Sequence, residues 1–116
     1  MLIETLEKLK NSKVLYLTTT GRNSGEPRSI EIWFVYAQGN IYLISGMGMS
    51  SNWVKNLLKD PQVKVQIKDS SLSGKATVVP PKSEARDQVA RLYQRKYRWQ
   101  IEPEATIVEI TPEGPG

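Results

Sequence analysis

The chain has no cysteine and no histidine among its 116 residues. Without cysteine there is no disulfide, no thiolate nucleophile and no thiolate metal site. Without histidine the commonest general base and the commonest transition-metal ligand are missing. These absences argue against a hydrolytic triad and against a zinc or non-haem iron centre, so no metal ligand and no catalytic side chain is assigned. An enzyme made from this chain leaves its chemistry to a bound organic cofactor. No apolar run approaches the roughly twenty residues that cross a bilayer. The opening MLIETLEKLKNSK carries Glu4 and Glu7 where a signal peptide needs unbroken apolar residues, so a cytoplasmic location is the expectation. Neither an internal repeat nor a low-complexity segment is present.

What the chain does contain is a modest cationic excess, sixteen basic against twelve acidic side chains, for a formal charge of +4. Such a balance favours anionic partners: a phosphorylated cofactor, nucleic acid or a membrane surface. Its length suits a single domain with a modest core, expected over 1–112, with 113–116 as a frayed tail.

Periodicity predicts six strands and three helices. A first helix over 2–11 places Leu2, Leu6 and Leu9 on one face. Strands follow over 14–20 and 28–36, then a turn and a strand over 41–45. A helix over 51–59 stops at Asp60-Pro61, because the residue before proline resists helical dihedrals. The segment 62–68 alternates strictly, with Val63, Val65 and Ile67 apolar, and a strand over 72–79 ends at Pro80-Pro81. Ser83 is placed to cap a helix over 84–99, and a last strand covers 105–111. The fold class is therefore α+β with a largely antiparallel sheet. Several strands are apolar on both faces, so one face lines the core while the other needs helices or a second copy to cover it.

The segment TTTGRNSGEPR, residues 18–28, is the most informative. Gly21, Gly25 and Pro27 are turn formers, so Arg22, Ser24 and Arg28 cluster at one hairpin end. Guanidinium groups beside hydroxyls and backbone N–H groups suit phosphate oxygens. Two solvated arginines on a hairpin are equally an ordinary surface feature. Further on, Ser45-Gly46-Met47 opens a small loop, read either as a ligand-approaching loop or as a plain connector. Trp53 and Asn56 share one helix face. Either they meet one ligand, or Trp53 is core and Asn56 caps a neighbouring loop. Trp33, Tyr36 and Trp99 are available for stacking or for core and interface packing. Arg86, Arg91, Arg95, Lys96 and Arg98 read as a solvated basic face.

The ordered set TTxGRxSGxPR, strand, hairpin, strand, small loop and WxxNLxxxPxVxVxI resembles the deazaflavin-dependent nitroreductase and quinone-reductase family, within the split-barrel flavoproteins that include pyridoxamine phosphate oxidases. The likeness covers residues 14–112. It implies a homodimeric split β-barrel with its cofactor near the dimer interface, binding the deazaflavin F420, or alternatively FMN. It implies Arg28 as the leading phosphate ligand with Arg22 and Ser24 in support, and Ser29 and Ile30 along the strand edge beside the ring. Ser45, Gly46 and Met47 match the loop that approaches the cofactor; Trp53 and Asn56 match the pocket wall. The family's turn often reads GRKSG, whereas this chain has Asn23 in place of the lysine, so part of the positive charge is missing. The implied activity is hydride transfer from reduced F420 to a small electron-poor acceptor such as a quinone, an enone or a nitroaromatic. A non-catalytic cofactor carrier and a small basic nucleic-acid module are the alternatives from other classes; no nucleic-acid motif supports the latter.

Overall fold

The computed structural model describes residues 9–113, so the expected first helix lies almost wholly outside the described residues. Seven strands follow: β1 (Val14–Thr20), β2 (Pro27–Trp33), β3 (Val35–Ala37), β4 (Asn40–Ser45), β5 (Gln62–Ile67), β6 (Ser70–Val78) and β7 (Thr106–Glu113). Two α-helices, α1 (Asn52–Lys59) and α2 (Glu84–Tyr97), and a short 3-10 turn at Gly48–Ser50 complete the described fold. The strands form one antiparallel sheet in the order β2-β1-β5-β6-β7-β4-β3. Because β2 and β3 sit at opposite edges yet are consecutive in the chain, the sheet must curl until its ends meet, giving a half-barrel.

That curl corrects the expected strand count from six to seven. The predicted strand over 28–36 breaks at Phe34, where the chain leaves one edge of the sheet and joins the other. Backbone groups at such a break lose their ladder partners and must find others. Side chains of α2 supply them. The Tyr93 hydroxyl reaches the Trp33 and Tyr42 carbonyls at 3.0 and 3.2 Å. The Tyr97 hydroxyl accepts from the Phe34 N–H at 3.1 Å and lies 2.9 Å from its carbonyl. Lys96 donates to the carbonyls of Phe34 and Lys10, both at 2.9 Å, with its ammonium 3.8 Å from the Phe34 ring centroid.

Two cores explain the strand patterns. Inside the curl, Leu15, Leu17, Leu43, Val65 and Ile110 are buried with Val54 and Leu57 of α1. Outside it, α2 lays Val89 and Tyr93 over Val35, Tyr42 and Ile107. Strand β4 lies between these layers and is apolar on both faces. Strand β5 alternates because none of the described helices covers its outer side, where Lys64 and Gln66 are exposed. Ser83 accepts from the Arg86 N–H at 3.2 Å, as expected of a cap. Helix α2 ends at Tyr97, two residues early, where Arg98 turns left-handed at φ 56°. Strand β7 runs two residues further than expected, to Glu113, which pairs with Ser73.

Burial pushes the Lys96 ammonium down from 10.5 to about 8. Between those values the unfolded chain binds more protons than the folded one, so stability should rise as pH rises from about 8 towards 10.5. Buried Tyr93 is held well above 10.0 and acts in the opposite sense only at higher pH. Melting temperatures measured from pH 7 to 10 should show that rise, and Lys96→Met should abolish it.

Candidate functional site

The site is built on the turn between β1 and β2. The Gly21 N–H donates to the Glu26 carbonyl and the Gly25 N–H to the Gly21 carbonyl, each at 2.8 Å. Gly25 has φ +74°, a conformation a side chain resists. A Cβ on Gly21 would lie 2.7 Å from the Ser24 hydroxyl and 3.5 Å from Arg28 Nε, so the arginine folds across the turn. Arg28 stands opposite Thr19 in the ladder and is exposed, and its guanidinium has no hydrogen-bond partner among the described residues. The N–H groups of Asn23 and Ser24 are likewise unpartnered there.

Helix α1 closes the other side. Its start follows the loop after β4, and its stop at Asp60-Pro61 is the one expected from sequence. Between turn and helix lies a groove of ≈ 810 Å³. Of the expected site residues, Arg22, Ser24, Arg28, Ser29, Ile30, Met47, Trp53 and Asn56 border it. None of its lining residues carries a carboxylate. Guanidinium groups, amides, hydroxyls and an indole line it, donors of a kind that suit an anion.

The members differ in what they have left to offer. Arg22 is held by α1: its Nη1 donates to Asn56 Oδ1 at 2.9 Å and its Nη2 to Asn52 Oδ1 at 3.2 Å. Ser24 Oγ accepts from the Glu26 N–H at 3.2 Å. Ser29 stands on the opposite face of β2 from Arg28, with its hydroxyl 2.6 Å from that of Thr18. Met47 is 73% exposed at the groove's rim. Ser45 and Gly46 do not line the groove. Ser45 is buried and donates to the Gly48 carbonyl at 2.8 Å, fastening the 3-10 turn instead. Sequence reasoning missed Asn52 and Thr19. A four-residue spacing to Asn56 was the available signal for Asn52; for Thr19 it was its place in the hydroxyl strand.

The remaining aromatic and basic candidates lie elsewhere. Trp33 is on the outer face of β2, stacked on Tyr97 at 4.3 Å with Trp99 edge-on at 6.1 Å. Arg86 is not part of a solvated stripe: its guanidinium donates to the carbonyls of Ala105, Glu102 and Pro103 at 2.8, 3.1 and 3.1 Å. Lys96 is likewise bound to carbonyls, leaving Arg91, Arg95 and Arg98 exposed. A second depression of ≈ 690 Å³ on the outer face of β1, β5 and β6 mixes apolar side chains, Tyr16, Val65 and Leu72, with Lys64, Gln66 and the Glu113 carboxylate. It lacks the arginines and the free turn N–H groups. Among the described residues no cluster of acidic side chains could hold a metal, and no helix is long and apolar enough to cross a membrane.

Residues 3–109 match the sequence model of the family described as F420H(2)-dependent quinone reductase. Among solved structures, the chain superposes on an F420 reductase with TM-score 0.68 and 17% identity, covering 94% of this chain and 93% of the other. It superposes on a protein provisionally assigned as a pyridoxamine 5'-phosphate oxidase from Listeria innocua with TM-score 0.73 and 21% identity, covering 97% and 94%. An FAD-binding protein from Mesorhizobium loti gives TM-score 0.75 and 16% identity, covering 96% and 89%. At these identities the likeness is one of fold: the half-barrel is that of the split-barrel proteins.

Proposed function

The chain belongs to the F420H(2)-dependent quinone reductase family, and from that premise we propose that it reduces a small electron-poor acceptor, a quinone, an enone or a nitroaromatic, with F420 as its cofactor. It is an F420-dependent oxidoreductase by family; the acceptor class and the residue roles are our reading. The observation that carries it is the carboxylate-free groove with Arg28 unpartnered at its edge. Those residues fit the phosphate-bearing end of such a cofactor: a forked cation, two free backbone N–H groups and no opposing negative charge.

When bound, F420 supplies the hydride chemistry. The chain's own part is binding, orientation and exclusion of water. Arg28 and the turn N–H groups hold the anionic end. Trp53 and Ile30 give the groove its apolar wall, and Met47 covers the rim. No lining side chain is asked to move a proton, consistent with a chain lacking histidine and cysteine.

Homodimerisation belongs to the same proposal. Trp33, Met47, Met49, Leu58 and Trp99 keep between 38% and 73% of their surface exposed, apolar area that a second copy would cover. Sedimentation should give a dimer. Full cofactor affinity in a diluted monomer would count against a pocket shared between copies.

The deciding experiment is parallel fluorescence titration with F420 and with FMN. Tight binding of F420 alone supports the reading, and turnover of reduced F420 with a quinone or a nitroaromatic then identifies the acceptor. Preference for FMN would move the protein to the pyridoxamine-phosphate-oxidase-like branch. Binding of neither would remove the assignment of this groove.

A further inference from the structure

The turn's composition does not separate Arg22 from Arg28, and the family resemblance ranks Arg28 first; the fold adds a physical difference between them. Three residues on one face of α1, Asn52, Asn56 and Lys59, grip Arg22 on both its backbone and its guanidinium. Asn56 Oδ1 accepts from the Arg22 N–H at 3.2 Å and from its Nη1 at 2.9 Å, while Asn56 Nδ2 donates to Thr19 Oγ1 at 3.3 Å. Asn52 takes Nη2 on its side chain at 3.2 Å, and Lys59 donates to the Arg22 carbonyl at 2.7 Å. Asn56 is only 5% exposed, and both acceptor positions of its amide oxygen are already used.

We propose that Asn56 is the positioning residue of this groove: it holds the 21–26 turn against α1, so that Arg28 and the turn's backbone face the ligand, and does not itself touch that ligand. The inference rests on the groove being the F420 site. Arg22 becomes the anchor of the turn, and Arg28 the cation that meets phosphate. An amide suits the task because it offers an acceptor to Arg22 and a donor to Thr19 at one buried point. A carboxylate would offer only acceptors, and an aliphatic side chain would leave the Arg22 N–H without a partner.

The test combines amide hydrogen exchange on the cofactor-free protein with F420 titration. Asn56→Ala should raise exchange at the hydrogen-bonded amides of the turn, Gly21, Arg22 and Gly25, while β5, β6 and β7 stay protected. It should weaken F420 binding at least roughly tenfold, the effect of losing about 1.4 kcal/mol. The absorption maximum of bound F420 and the salt dependence of its affinity should not change, because no ligand contact and no charge is lost. Arg28→Ala should do the reverse, flattening the salt dependence while the turn stays protected. Asn56→Asp keeps the acceptor for both Arg22 donors and loses only the donor to Thr19, whose hydroxyl can donate to the carboxylate instead, so it should restore most of the turn's protection, which also answers the case of an alanine variant that fails to fold. Unchanged exchange in the turn overturns the proposal, as does a shifted spectrum of bound F420 or faster exchange with unaltered affinity. If the unsubstituted protein fails to bind F420, the functional reading falls and this one with it. Normal binding by the unsubstituted protein together with any of the contrary results removes only the role of Asn56.

Discussion

Arg28→Ala should weaken F420 binding by roughly tenfold to a hundredfold, because hydrogen bonds to a charged group are worth about 1.5–3 kcal/mol. The fold should be unaffected. Arg28 is exposed and its guanidinium has no hydrogen-bond or ion-pair partner among the described residues, so its removal breaks no such interaction, and such surface changes lie within about 0.5 kcal/mol. Arg28→Lys keeps the charge but loses the planar fork that can engage two phosphate oxygens, so its affinity should fall between the two. Fluorescence titration beside a thermal melt separates binding from stability. Unaltered affinity in a folded alanine variant would take Arg28 out of the site.

The second large effect is structural and lies outside the residues that line the groove. A Cβ on Gly74 would sit 2.7 Å from Ile110 Cγ2 and 2.9 Å from the Thr111 carbonyl oxygen. Alanine normally improves on glycine inside a strand by roughly 0.5–1 kcal/mol through reduced chain entropy. Here the close approach of β6 to β7 opposes that gain. One obstacle is backbone and the other is a β-branched side chain in the core, so neither yields easily. Overpacking of this kind costs about 1–3 kcal/mol, which outweighs the entropy term. Gly74→Ala should therefore be less stable in urea titration, and Gly74→Val more severely so. A Gly74→Ala protein as stable as the parent would mean that the two strands can separate without loss.

Much of this fold is legible along the chain because it depends on local chemistry. Alternation in Val63–Lys68, the stop at Asp60-Pro61 and the Ser83 cap are written in adjacent residues. The glycines of the 21–25 turn are of the same kind. Features that were not legible depend on partners distant in sequence. The break at Phe34 is invisible to a period of two, since Ile32, Phe34 and Tyr36 continue the pattern without interruption. What breaks the strand is the curl of the sheet, with Tyr93, Lys96 and Tyr97 some sixty residues away taking over the ladder's hydrogen bonds. Ser45 reads as part of a loop facing a ligand, yet its hydroxyl turns inward to Gly48 and Ser51. Arg86 reads as solvated, yet the 102–105 segment folds its carbonyls onto it.

The sequence alone determined the chemical class. The lack of histidine and cysteine pointed to a borrowed organic cofactor, and the two arginines in a glycine-punctuated turn with a WxxN helix after a small loop carried the resemblance to the F420 family that the family match bears out. The tertiary structure supplied a physical reason for the ranking of Arg28 over Arg22 that the resemblance implied. Arg22 and Asn56 are 34 residues apart, and only the packing of α1 beneath the end of β1 brings them within hydrogen-bonding distance. One guanidinium is thereby spent on the protein's own oxygens, and the other, without a hydrogen-bond partner among the described residues, is the one we propose for the anion.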